Sequence, residues 1–144
     1  MEWIVFDNSN INQYVDYIDS HKFSGIWHKP SWLKFQLETQ KAVDGFFFGI
    51  KKENSIVLVG LYLIIKSRNI KYGYIPAGFL YNLIDEEIYN FFIDNITKIS
   101  TDNKIVFTQI DPITPFDENF DTIIKKSKLT RLNQKLPIPQ FTNV

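Results

Sequence analysis

The sequence predicts an α+β fold, a mixed but mainly antiparallel sheet flanked by helices, and three observations carry that prediction. Runs rich in Val, Ile, Phe and Tyr fill residues 44–75 between short polar breaks, and apolar residues recur at helical spacing on either side of them. One more strand-like run, 104–110, is reached from the last of those strands through a helix. A right-handed crossover of that kind places the later strand parallel to the earlier one, so the sheet must be mixed.

The elements follow in order. "WIVF", 3–6, is a short β-rich run, and Asp7, Asn8, Ser9 or Asn10 in the "DNSN" after it is placed to cap a helix. Ile11, Tyr14, Val15 and Ile18 then form one apolar stripe, the mark of an amphipathic helix. "HKFSGIWHKP" reads as a loop whose Pro30-Ser31 opens a second short helix. There Trp32, Leu33, Phe35 and Leu37 spread over a wide face, and Trp32 and Phe35 read as core anchors.

"DGFFFGIK", "SIVLVGLYLII" and "IKYGYI", separated by "KENS" and "KSRN", predict a three-stranded antiparallel meander. "YIPAGFLYN" then reads as a turn leading toward a helix over 85–99, where Ile88, Phe92, Ile96 and Ile99 share a face. Asp85, Glu86 and Glu87 lie in its first turn, where negative charge suits the helix dipole. "KIVFTQI", 104–110, is the parallel strand; "TIIKKSKL", 122–129, predicts a short helix before the chain reaches "LPIPQFTNV". The 144 residues make one domain, 1–144, without repeats or a low-complexity linker.

Composition removes several function classes. With no cysteine there is no disulfide, thiol nucleophile or thiolate metal site. No apolar run is long enough to span a bilayer and no basic-then-apolar leader follows Met1, so the reading is a soluble, cytoplasmic protein without a transmembrane segment. A net charge of zero argues against bulk electrostatic binding of nucleic acid. The five basic residues Lys125, Lys126, Lys128, Arg131 and Lys135 all follow the last acid, Asp121. They read as a solvated basic surface, with contact to an anionic partner as the alternative.

The residues name no catalytic group. His21 and His28 lack a metal-ligand spacing or a partner carboxylate and read as structural or surface histidines, so no metal is expected. Glu86 and Glu87 look like a helix start rather than an acid/base pair, and no G-x-S-x-G, P-loop or H-E-x-x-H occurs. The element order is compatible with the GNAT type of acyltransferase fold, whose coenzyme A users follow the fourth strand with a glycine-rich turn of the form Q/R-x-x-G-x-G/A. In "YIPAGFLYNLIDEE" there is one glycine, a proline without an N–H, and three carboxylates that would repel pyrophosphate. Coenzyme A is not expected at this turn.

Four stretches in sequence carry a closer resemblance: "PSWLKFQ" at 30–36, "YGYIPAGFL" at 72–80, "FTQIDP" at 107–112 and "LPIPQFTNV" at 136–144. In this order and spacing they resemble the Fem family of peptidoglycan aminoacyltransferases, which carry a "S-x-W-x-x-F/K" helix, a "Y-x-P-R-G-P" turn, an "r-x-D-P" strand end and a "Q-P-x-x-T" segment. Such proteins are built from two GNAT-like domains and transfer an amino acid from aminoacyl-tRNA to an amine on the stem peptide of a peptidoglycan precursor. This chain resembles the first domain alone, so the second is expected to be absent.

The resemblance implies a substrate-binding set of Lys34, Tyr74, Ala77, Gly78 and Asn82. Lys34 falls at a basic position near the precursor's diphosphate in related enzymes; its alternative is a solvated helix lysine. Tyr74, Pro76 and Gly78 keep the "Y-x-P-x-G" frame, whereas Ala77 stands where many members have Arg, Phe79 where they have Pro, and Asn82 near a common acid. Asp111 reads as a turn former, with a cleft-facing role as the alternative. The resemblance implies no cofactor beyond aminoacyl-tRNA as co-substrate, bound mainly by the missing domain, and the chain alone is expected to bind precursor weakly and transfer nothing. Two alternatives stand beside it: a non-catalytic GNAT-like module that pairs as a homodimer or with a partner chain, and an acyl-coenzyme A N-acetyltransferase.

Overall fold

The structure is a computed structural model that describes residues 1–111 and 118–126. Strand β1 (Glu2–Phe6) is followed by helices α1 (Ile11–Ser20) and α2 (Pro30–Glu38), with a short 3₁₀ turn, Ile26–His28, between them. The meander is β2 (Asp44–Lys52), β3 (Ser55–Ser67) and β4 (Ile70–Ile75); a three-residue strand β5 (Phe79–Tyr81) comes next. Helix α3 (Glu86–Asp102), strand β6 (Ile105–Ile110) and helix α4 (Glu118–Lys126) complete the described chain. The sheet order is β1-β2-β3-β4-β6, all neighbours antiparallel except β4 with β6, which are parallel.

Strand β3 is the spine. Its apolar run is nearly continuous because both faces are covered. Val59, Leu61 and Leu63 point toward the core that α1 completes with Tyr14 and Ile18, while Leu58, Tyr62 and Ile64 point toward the core completed by α3 with Ile88, Phe92 and Ile96. Both expected stripes are therefore core stripes, with Val15 and Ile99 only partly buried at their edges.

The segment after β4 differs from the expectation of a plain turn into a helix. Residues 79–81 return to the sheet and pair with Leu58, Val59 and Gly60, so β4 and β5 lie end to end along the same edge of β3. Helix α3 starts only at Glu86, capped by Asp85, whose carboxylate accepts the Ile88 N–H at 2.8 Å. Lys52 bridges Asp85 and Glu87 at 3.2 and 2.7 Å.

Three further expectations are corrected. Asn10 occupies the N-cap position of α1 but makes no side-chain cap; its Oδ1 turns back to accept the Asp7 N–H. Phe35 and Leu37 of α2 are 44% and 37% exposed, so Phe35 is not a core anchor, whereas Trp32, half-buried, does pack against the core that α1 completes. On α2, Trp32 stacks against Phe35 and meets Trp27 of the 3₁₀ turn edge-on, and Lys41 lies over the Phe35 ring. The last helix begins at Glu118, before the expected start, while 127–129, "LPIPQFTNV" and Pro112 lie outside the described residues. Among the described residues no helix is long and apolar enough to cross a membrane, and no group of three metal-ligating side chains occurs.

Candidate functional site

The carboxyl ends of the parallel pair β4 and β6 bring polar side chains together on one face of the sheet. Tyr74 donates its hydroxyl to Asp111 Oδ2 at 2.7 Å, and Gln109 Nε2 donates to Oδ1 at 2.9 Å. The Asp111 N–H reaches the Ile75 carbonyl at 3.3 Å, which ties the carboxylate's backbone to the end of β4. Side chains 109 and 111 share a face by strand alternation, and the β4–β6 register puts Tyr74 opposite Gln109. The Asp111 carboxylate is thus bonded by Tyr74 from the neighbouring strand and by Gln109 from its own, while the residues whose N–H groups the turn-former reading needs lie outside the described residues.

Burial, reinforced by the neighbouring Asp111, pushes the Tyr74 phenol well above its ordinary range, so it stays a donor at neutral pH. A carboxylate oxygen can accept more than one hydrogen bond, so the bonds described leave room for one from an amine. The close packing behind this site depends on Gly73. A β-carbon there would sit 2.0 Å from the Tyr62 hydroxyl and 2.6 Å from Thr108 Oγ1, groups that bond each other at 2.8 Å.

Beyond Ile75 the chain makes a type II turn, with the Gly78 N–H bonded to the Ile75 carbonyl at 3.3 Å and Pro76 at the second position. The third position requires positive φ; Ala77 supplies it at 58°, and Gly78 follows at 67°. For alanine this left-handed conformation costs about 1–2 kcal/mol. Pro76, Ala77 and Gly78 are all buried, under the loop that joins α1 to α2.

Two histidines fasten that loop. His21 Nε2 bonds the Tyr81 carbonyl of β5 at 2.8 Å and its Nδ1 accepts the Phe23 N–H. His28 is fully buried; its Nδ1 accepts the Gly25 N–H at 3.1 Å, and its own carbonyl accepts the Tyr14 hydroxyl at 2.8 Å. Burial pushes the His28 imidazole down to about 4, opposed by the backbone of Gly78 and Ala77 facing the ring, so it is neutral at pH 7.

The sequence-derived residues therefore do not form one cluster. Tyr74 lies in the polar site, and Ala77 and Gly78 are buried in the turn beside it. Asn82 is exposed just after β5, its backbone N–H facing the Tyr17 oxygen. Lys34 is exposed on α2, 3.8 Å from Glu38 one helical turn away, and no described contact joins it to the turn. Sequence reasoning did not single out Gln109 and gave His28 only a generic structural place. The "FTQID" alternation held a signal for Gln109; nothing in the sequence announced the burial of His28.

The α3 amino end offers no ready pyrophosphate site. Its first-turn donors meet the Asp85 carboxylate, two more acids follow, and the turn glycine is buried. The residues at this link do not fit the phosphates of coenzyme A.

No protein-family model and no curated protein matches the sequence. Solved structures do match. FemX superposes with a TM-score of 0.73 at 18% identity over 87% of this chain; the chain spans 31% of FemX. A probable acetyltransferase matches with a TM-score of 0.64 at 8% identity, covering 96% of this chain and 98% of that one. A predicted acetyltransferase from Clostridium acetobutylicum, solved with acetyl-CoA, gives 0.61 at 11% identity, covering 94% and 93%. The class these define is the GNAT-like acyltransferase fold, a mixed open sheet with helices on both faces. This chain shares that fold.

Proposed function

We propose that this domain forms the peptidoglycan-precursor side of a Fem-like aminoacyltransferase that transfers an amino acid from aminoacyl-tRNA to an amine of the stem peptide. The observation that carries the reading is the Tyr74–Asp111 bond. Two of the family-like stretches, "YGYIPAGFL" and "FTQIDP", lie 37 residues apart at these positions, yet their polar members meet at 2.7 Å. The superposition on FemX supports the same reading at the level of the fold.

The chemistry asks little of a protein nucleophile, because the aminoacyl ester is already activated. The amine nitrogen bonds to the ester carbonyl carbon, the ribose oxygen leaves with the bonding pair, and the amine gives up a proton. Alignment and a proton acceptor are what the protein supplies. Asp111 is the acceptor candidate, held in place by Tyr74 and Gln109. Lys34 is a point charge for the diphosphate, and the turn with Asn82 shapes the wall. Ala77 in place of the family's arginine removes an anion contact, so substrate choice differs from members that keep it. Contacts to aminoacyl-tRNA belong mainly to a second domain.

Calorimetric titration with a nucleotide-linked precursor tests this. Weak binding, further weakened by Asp111→Asn and by Lys34→Ala, is expected, with no transfer by the 144-residue chain alone. Absence of any binding refutes the precursor reading, and rapid transfer by this chain alone refutes the assignment of aminoacyl-tRNA to a second domain. The full-length correspondence with two small acetyltransferases favours the second reading, an acyl-coenzyme A N-acetyltransferase. A thermal shift with acetyl-coenzyme A would establish it over the first.

A further inference from the structure

Strand β6 presents two faces, and the second carries polar groups that the candidate site does not use. Gln109 and Asp111 belong to the polar site, so by strand alternation Thr108 and Ile110 point the other way, toward α3. A cavity of about 250 Å³ lies there, between β6 and the second half of α3. Helix α3 gives it residues 93, 96, 97, 100 and 101, a strip at helical spacing alongside the core stripe.

The lining has two textures. Ile93, Ile96, Ile105 and Ile110 make apolar walls, and Ser100 and Thr108 add hydroxyls. Next to these two, the fully buried Tyr62 places its hydroxyl 2.8 Å from Thr108 Oγ1 and 3.5 Å from Ser100 Oγ, while Ser100 and Thr108 are 3.2 Å apart. Among the described residues no charged side chain lines the cavity.

The three hydroxyls hold three protons. Two serve the 2.8 and 3.2 Å contacts, and the third has only the 3.5 Å contact, at the limit of a hydrogen bond. Each oxygen can accept two bonds, so the triad keeps one weakly committed donor and spare lone pairs. Apolar walls with a few convergent polar groups are the usual make-up of a small-molecule site. A dry cavity of about 150 Å³ already holds benzene; the larger space here takes a ring and a polar substituent.

We propose that the cavity between α3 and β6 is a second binding site, for a small uncharged amphiphile of about one aromatic ring whose hydroxyl or amide head bonds Ser100 and Thr108. The apolar body of the ligand lies against the isoleucines, and its head joins the hydroxyl triad. Charged ligands are disfavoured, because no opposite charge in the lining offsets their desolvation. The site lies on the face of the sheet opposite Tyr74 and Asp111, and the inference stands apart from the transferase reading.

The probe is para-cresol, with toluene as the same ring lacking the hydroxyl. Each is titrated into the 144-residue chain with ¹³C-labelled isoleucine δ-methyl groups. Saturable shifts are expected at Ile93, Ile105 and Ile110, with Ile18 in the core on the opposite face unmoved. Ser100→Ala is expected to weaken para-cresol about fivefold and to leave toluene within about twofold. The absence of saturable shifts, or shifts at Ile18 as large as those at the cavity, overturns the proposal. So does para-cresol binding that Ser100→Ala leaves unchanged, or equal weakening of both probes. Should Ser100→Ala fail to fold, the place and saturation of the wild-type shifts decide alone.

Discussion

Lowering the pH from 7 to 5 is expected to destabilise the fold through His28. The imidazole is pushed down to about 4 by burial in the native state, whereas in the unfolded chain it titrates near 6.5. Above 6.5 neither state binds the proton and the contribution of the folded structure is intact. As the pH falls through 6.5 the unfolded chain takes up a proton that the native state refuses, and stability drops until the native ring also protonates near 4. From these two values the loss is about 2 kcal/mol at pH 5 and approaches about 3 kcal/mol at pH 4. Carboxylates titrate over the same range, so the measurement is a difference. Urea unfolding of wild type and His28→Gln is followed at pH 7 and pH 5, and the variant is expected to lose about 2 kcal/mol less between them. The same pH dependence in both proteins would falsify the assignment of this loss to a buried neutral histidine.

Other perturbations read different parts of the structure. Gly73→Ala puts a β-carbon 2.0 Å from the Tyr62 hydroxyl; overpacking plus disruption of the Tyr62–Thr108 bond is expected to cost about 2–4 kcal/mol, measured by urea unfolding. An unchanged midpoint would mean that Tyr62 swings away at no cost. Asp85→Ala removes the α3 cap and one Lys52 partner, with an expected loss of about 1 kcal/mol in the same assay. Lys34→Ala is expected to change stability by less than about 0.5 kcal/mol because its pair with Glu38 is solvent-exposed, so a fall in precursor binding by that variant reports contact rather than unfolding. Asp111→Asn is expected to bring the Tyr74 phenol down toward its ordinary range, seen as an altered ultraviolet titration against wild type; an identical titration counts against the carboxylate's effect on the phenol.

The sequence made the frame legible where periodicity and punctuation were strong. "KENS" and "KSRN" marked the two hairpins of the meander, the 3.6-residue stripe marked α3, and crossover handedness alone assigned β6 its parallel direction. Strand β5 escaped because three residues cannot show a period. "FLY" is a strand only because Leu58–Gly60 leaves an open stretch on the edge of β3, a fact of tertiary structure. The α2 face misled for another reason: aromatic residues satisfy helical spacing whether they face a core, as Trp32 does in part, or lie exposed beside it, as Phe35 does. At the site, Tyr74 and Asp111 were each named from short motifs. Their meeting depends on a register between strands separated by the whole of α3, and no local pattern encodes that.

The two-sided burial of β3 carries a hazard for the chain before it folds. "SIVLVGLYLII" combines high β-propensity with no charge and no proline, the composition of segments that stack between molecules into cross-β assemblies. In the native state most of it is paired, by β2 along one side and by β5 at Leu58–Gly60 and β4 from Leu63 onward on the other. Lys52 and Glu53 precede it and Lys66 and Arg68 follow it, charges placed where gatekeeper residues interrupt self-association. Because β5 covers Leu58–Gly60 of this strand, loosening the β4–β5 turn exposes that stretch to other chains, and the same turn that shapes the site guards the protein against aggregation.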